Sequence, residues 1–203
     1  MNKYLEFIGK TKMKLKSVKV QQRSYLENVI SNADYTFLKN KLKGEWNPEC
    51  YFVVRYLAAT GARVSKLVQI KIEHISIGYF DIYTKGGKVR LFIPKKLKDE
   101  TLVWLQSNGR GSGYLFLNRF GERITTRGIA QQLKNYAIKY KMNPKVVYPH
   151  SFRHRFAKNF LEKYKDISLL ADLMGHESIE TTRIYLRRTS SEQQQIVDKV
   201  VVW

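Results

Sequence analysis

Apolar and polar positions repeat with a helical period over most of this 203-residue chain and switch to alternation once, near its middle. Ser31 and Asp34 have capping-box spacing, which predicts a helix over residues 32–43 that stops at Gly44. Asn47 followed by Pro48 opens a second helix, with Phe52, Val53, Tyr56 and Leu57 on one face and Gly61 at its end. A short helix carrying Arg63, Leu67 and Val68 comes next. Residues 79–84 and 88–93 are β-rich runs separated by Lys85-Gly86-Gly87, the pattern of a hairpin. Pro94 begins a helix to Ser107 with Leu97, Leu102 and Leu105 inward. Residues 114–117 are expected to add a short strand, and residues 118–122 a turn. Helices are predicted over 126–141, 151–164, 167–174, 179–186 and 192–200. The fold class is therefore mainly α with a small antiparallel β-sheet, an α+β arrangement.

Charge changes the picture. Lys and Arg number 37 against 17 Asp and Glu, a formal +20, while 43% hydrophobic residues suffice for a core. No fold requires such an excess, and it points to a polyanionic partner. Residues 1–23 hold Lys3, Lys10, Lys12, Lys14, Lys16, Lys19 and Arg23 against one acid, Glu6, without an apolar face. They read as a basic arm or linker remnant ahead of a domain over 24–203. In the C-terminal helix, about residues 190–203, Ile196, Val197, Val200, Val201 and Trp203 form an apolar stripe. Docking on a neighbouring copy and folding back on its own domain both suit that stripe. Cys50, the single cysteine, excludes an internal disulfide and suggests a reducing compartment. No apolar run approaches the roughly 20 residues of a membrane span, and no signal-peptide core is visible. The expectation is a cytoplasmic protein, nucleoid-associated when bound.

The residues with chemical potential are unremarkable one by one: a helix-start arginine, a turn lysine, a basic helix face and a packed tyrosine. Their order is not. The strings ATGARVSKLVQI, YTKGGKVRLFIP, YPHSFRHRFAKNFL and LADLMGHESIETTRIYL follow one another, with His176 nine residues before Tyr185. Together they resemble the tyrosine recombinase (phage integrase) family over residues 31–188, the extent of its catalytic domain. The resemblance implies that Arg63, His150 and Arg153 hold a scissile phosphate. It also implies that Lys85, His176 and the nucleophile Tyr185 complete the set. Lys88 is an alternative to Lys85 in the same hairpin. Double-stranded DNA is the implied partner, with Lys10, Lys12, Lys14, Lys16, Lys88, Arg90 and Arg127 as contacts. The chain is expected to be a monomer when free and a dimer or tetramer on DNA. No metal or cofactor is implied, because the bond energy is kept in a 3′-phosphotyrosyl link.

The chemistry explains these residue types. A phenol with an ordinary pKa near 10 needs a base or surrounding positive charge to become a nucleophile. Two guanidiniums suit the oxygens of a pentavalent phosphorus, each offering planar donors that stay charged. His176 would add a donor to the same oxygens. A lysine can protonate the departing 5′ oxygen. His150 is the expected proton acceptor near the tyrosine. Integration, excision and inversion share this chemistry.

Two departures stand out. Lys66 occupies the position three after Arg63 where the family usually has an acid, which adds like-charge crowding. Only a short arm precedes the domain, as in an excised catalytic domain or a short member such as the fimbrial DNA invertases. Three rivals remain: a zinc hydrolase using His150 and His154, a non-catalytic DNA-binding or regulatory protein on the same fold, and a type IB topoisomerase-like enzyme. The first lacks the glutamate its chemistry needs.

Overall fold

The computed structural model describes residues 28–45, 47–84, 87–176, 178–186, 194 and 197–200. Helix α1, Asn32–Gly44, starts where Ser31 Oγ accepts from the Asp34 amide at 3.0 Å and donates to the Asp34 carboxylate at 2.8 Å. Helix α2, Pro48–Thr60, is capped by Asn47, whose side chain accepts from the Cys50 amide at 3.1 Å. It ends at Gly61, held at φ 61°. A Cβ there would run into the Phe156 ring, so glycine is needed for both its torsion and the close approach.

Arg63 is the extended N-cap residue of a one-turn helix α3, Val64–Leu67. Helix α4, Ile72–Ile77, was not foreseen. Only Ile72 and Ile75 are buried along it, and the His74 ring accepts from the Lys71 amide at 3.0 Å in place of an ordinary cap. Strands β1, Tyr79–Thr84, and β2, Gly87–Phe92, pair antiparallel from Tyr79↔Phe92 to Thr84↔Gly87. The second strand starts one residue earlier than expected. Helix α5, Lys95–Ser107, follows Pro94, with Leu97 and Leu105 buried and Leu102 half-buried.

The strand expected at 114–117 is not there. Tyr114 and Leu117 make isolated bridges to Lys71 and Arg123. Leu115 donates to the Ile70 carbonyl, and Ile124 to the Phe116 carbonyl. The segment threads between two neighbours with Leu115 and Phe116 both buried, and strand alternation has nothing to act on.

Helix α6, Thr126–Lys139, starts at Thr125, whose hydroxyl accepts from the Gly128 amide at 3.0 Å. Helix α7 is Pro149–Tyr164, and helix α8, Ile167–Met174, is capped by Asp166 and ends at Gly175 with φ 62°. Helix α9, Ile179–Arg183, tightens into a 3₁₀ turn, Ile184–Leu186, so the single helix expected over 179–186 changes pitch just where Tyr185 sits.

Two apolar clusters result. The larger gathers Tyr56, Leu57, Leu97, Phe116, Leu133 and Phe152 around α2. The smaller holds Ala157, Leu161, Leu170, Met174 and Tyr185. Helix α7 belongs to both, through Phe152 in one and through Ala157 and Leu161 in the other. The C-terminal turn of α2, the start of α7 and the end of α8 meet at the seam.

Candidate active site

Arg153 is the centre of that seam. Its side chain is 4% exposed, and its guanidinium donates to the carbonyls of Gly61 at 2.6 Å and Met174 at 2.8 Å. A third contact, at 2.8 Å, joins it to His176 Nε2. Both carbonyls belong to helix C-terminal turns, the negative ends of α2 and α8. All three acceptors are neutral, and no salt bridge to Arg153 exists among the described residues. Burial, with the charge of Arg63 second, lowers its pKa to about 10. It nevertheless remains a cation at neutral pH.

Arg63 mirrors this arrangement, with Nη1 directed at the Gly175 carbonyl at 3.4 Å. Gly175 is glycine for a reason as well, since a Cβ would press on Val89 of β2 at 3.1 Å. Arg63, Lys66 and Arg153 line an open cleft of about 330 Å³, with Ile82, Val89 and Leu91 of the hairpin as its other wall. The Lys66 ammonium donates to the Tyr83 carbonyl at 3.4 Å and faces no acid across that cleft.

Tyr185 packs its ring into the smaller cluster, 9% exposed. Burial raises the pKa of its hydroxyl, while Arg153 and Arg63 pull it down. Arg153 also hydrogen-bonds that hydroxyl, and His154 reaches it with its Nδ1 3.0 Å away. The sequence reading had assigned this place to His150. His150 is exposed, one helical turn back, with its ring 6.4 Å from that of His154. Burial first, then His150 and Arg153, depress the pKa of His154 to about 4. Burial, then Arg153 and Arg63, lowers that of His150.

His176, expected as a donor to phosphate, has its Nε2 facing an arginine that can only donate, so here Nε2 accepts and Nδ1 carries the proton. That proton goes to the hydroxyl of the buried Thr182 at 2.6 Å. Burial, then Arg153 and Arg63, depresses the pKa of His176 to about 4. His176 as found here aims Arg153.

The other expected contacts divide. Lys88 and Arg90 both pair with Asp81 at 2.8 Å, and Arg90 also covers the Tyr79 ring. These cations hold the Asp81 carboxylate at a pKa of about 2. Arg127 is exposed in the first turn of α6. Lys10, Lys12, Lys14, Lys16 and Lys85 lie outside the described residues. Among the described residues no helix is long and apolar enough to cross a membrane, and no group of three His, Cys, Asp or Glu side chains could hold a metal ion. Among those residues the pair His150 and His154 has no third ligand for zinc.

Two glycine-ended helices whose terminal carbonyls hold two arginines beside one tyrosine form the arrangement of a tyrosine recombinase catalytic domain. The model of the phage integrase family matches residues 27–192, and the chain belongs to that family. Its relatives include a tyrosine recombinase XerA of Pyrococcus furiosus, 35% identical over 72% of this chain and 53% of the relative. A tyrosine recombinase XerD of Staphylococcus haemolyticus is 31% identical over 72% of this chain and 52% of that protein. The chain thus spans about half the length of these relatives. Among solved structures, a XerA recombinase superposes with a TM-score of 0.73 at 20% identity, over 98% of this chain and 72% of the other. The catalytic domain of bacteriophage HP1 integrase gives 0.60 at 20% identity, covering 86% of this chain and 95% of that domain. At such identity these two structures speak for the fold.

Proposed function

We propose that this chain carries out site-specific recombination, cutting and rejoining double-stranded DNA through a 3′-phosphotyrosyl intermediate. Arg63 and Arg153 hold the scissile phosphate, Tyr185 attacks it, and His176 keeps Arg153 aimed. Lys85 is assigned the proton for the departing 5′ oxygen, and His150 a flanking contact to the phosphate. One observation carries the reading: a buried arginine without a carboxylate partner among the described residues stands in an open cleft beside a second arginine and the Tyr185 hydroxyl. Such a site carries uncompensated positive charge, which a phosphate diester relieves.

The step needs no outside energy. Tyr185 Oη bonds to phosphorus, the bond to the 5′ oxygen breaks, and that oxygen leaves as a hydroxyl. Reversal by another strand's 5′ hydroxyl completes an exchange. DNA structures of similar fold include the Tn1549 transposon integrase with transposon right end DNA and XerH bound to difH, which supports a DNA partner. Assembly on DNA is assigned to the C-terminal stripe. Residues 197–200 are helical, and Val197 and Val200 are exposed, 50% and 58%. Ile196, Val201 and Trp203 lie outside the described residues.

The test is a nicked suicide duplex. Tyr185→Phe keeps the ring in its cluster, and is expected to bind DNA and form no slow-migrating adduct on a denaturing gel. The same change at Tyr140, Tyr148 or Tyr164 should leave the adduct in place. An adduct that persists in Tyr185→Phe overturns the assignment.

A further inference from the structure

Resting on that reading, we infer that His154 is a catalytic residue, the group that takes the proton of the Tyr185 hydroxyl as it attacks and returns it when the strand is rejoined. The hydroxyl lies 3.0 Å from His154 Nδ1, and the two rings are tilted with centroids 5.6 Å apart. Helix α7 fixes the histidine from one side, with His154 next in the chain to the anchored Arg153. The smaller apolar cluster fixes the tyrosine from the other. Neither partner needs to move for transfer, and the distance already lies within general-base range.

The charges around the pair set its direction. On α7, His150 and Arg153 face His154; from the loop before α3, Arg63 acts on Tyr185; from α9 onward the facing group is Tyr185 itself. None of the groups acting on His154 is an anion, and among the described residues no carboxylate faces the pair. The imidazole is therefore neutral at neutral pH, with Nδ1 free to accept and the ring proton on Nε2. A phosphate entering between the two arginines offsets their charge and raises the affinity of His154 for a proton as the phenol oxygen becomes more acidic on bonding to phosphorus. The proton balance closes: Nδ1 gains it on cleavage, and the tyrosine oxygen regains it on religation.

The experiment uses a duplex selected from a random pool for adduct formation by the unaltered chain, then nicked to trap the product. His154→Asn places an amide oxygen near the Nδ1 position, keeping a hydrogen-bond acceptor that cannot take a proton. Its adduct formation is expected to be about 100-fold slower at neutral pH. That deficit should shrink roughly tenfold for each unit of rising pH, because hydroxide replaces the missing base. His154→Ala should behave likewise and regain rate with added imidazole. Loss by one constant factor at every pH, or no loss, overturns the inference and leaves the nucleophile assignment standing. Failure of the unaltered chain to form any adduct overturns both.

Discussion

Arg153 donates to the carbonyl of Gly61 at 2.6 Å, across 92 positions of sequence. The glycine ends a helix of the larger cluster, and the arginine starts the face of α7 that leads into the smaller one. One hydrogen bond thereby fixes the distance between the segment carrying Arg63 and the helix carrying His154. Gly61→Ala places a Cβ against the Phe156 ring at a positive φ. It is expected to lower stability by about 1–3 kcal/mol and to slow cleavage more than it weakens DNA binding. Denaturant unfolding and suicide-substrate rates are the measurements. Unaltered cleavage would show that Arg153 does not depend on this turn.

The tautomer of His176 rests on Thr182. Valine there keeps the shape and removes the hydroxyl, leaving a half-buried N–H without its acceptor. A loss of about 1–3 kcal/mol is expected, together with slower cleavage at little change in DNA affinity. Nitrogen NMR of the His176 ring should show the proton no longer confined to Nδ1. An unchanged ring spectrum would mean that Arg153 alone sets the tautomer.

Acid sensitivity follows from the two depressed histidines. His154 and His176 titrate at about 4 in the folded chain against an ordinary 6.5. Between those values the unfolded chain binds more protons, so stability rises with pH across that window and is lost as pH falls through it. The urea midpoint should drop between about pH 6.5 and about pH 4, and stay level from about pH 7 to 8. His176→Gln should flatten part of that slope. A flat midpoint across the window would contradict the neutral, buried state of both rings.

Lys66 stands in the cleft beside Arg63, at the position where the family resemblance led to the expectation of an acid. Lys66→Glu removes like-charge crowding beside Arg63 and should leave cleavage at saturating DNA equal or faster. DNA affinity should fall, with the slope of log affinity on log salt reduced by about one unit. Tenfold slower cleavage with folding intact would assign the lysine a role of its own.

The C-terminal stripe makes the fifth contrast. Removing residues 192–203 should spare single-site cleavage and abolish pairing of two sites on native gels. Val197 and Val200 are the described members of that stripe, and both face solvent. Undiminished pairing would return the stripe to its own domain.

Much of the fold was legible because its signals are local. Ser31, Asn47 and Gly61 mark helix ends with side chains or torsions readable from one residue, and each stands where expected. Helix α4 was not legible, because its cap is a histidine ring acting back on Lys71, capping-box spacing filled by residue types that do not signal one. The false strand at 114–117 came from apolar residues buried by long-range threading. At the site, Arg63, Arg153, His176 and Tyr185 do converge, as their order in the sequence suggested. His154 was visible only as the i+4 partner of His150 and was weighed as a metal ligand. Its true neighbour lies 31 positions away, a distance that helical spacing cannot report.

The seam between the two clusters has a consequence for failure. Arg153 draws one acceptor from the larger cluster and two from the end of α8, while Tyr185 is itself a member of the smaller cluster. Local opening of α8 and α9 therefore parts the Tyr185 hydroxyl from His154 on α7 and releases the aim of Arg153 in one event, before the larger core is touched. Under the proposed function, a partly unfolded molecule is thereby left as an inert basic domain and not as a cutter without control of rejoining.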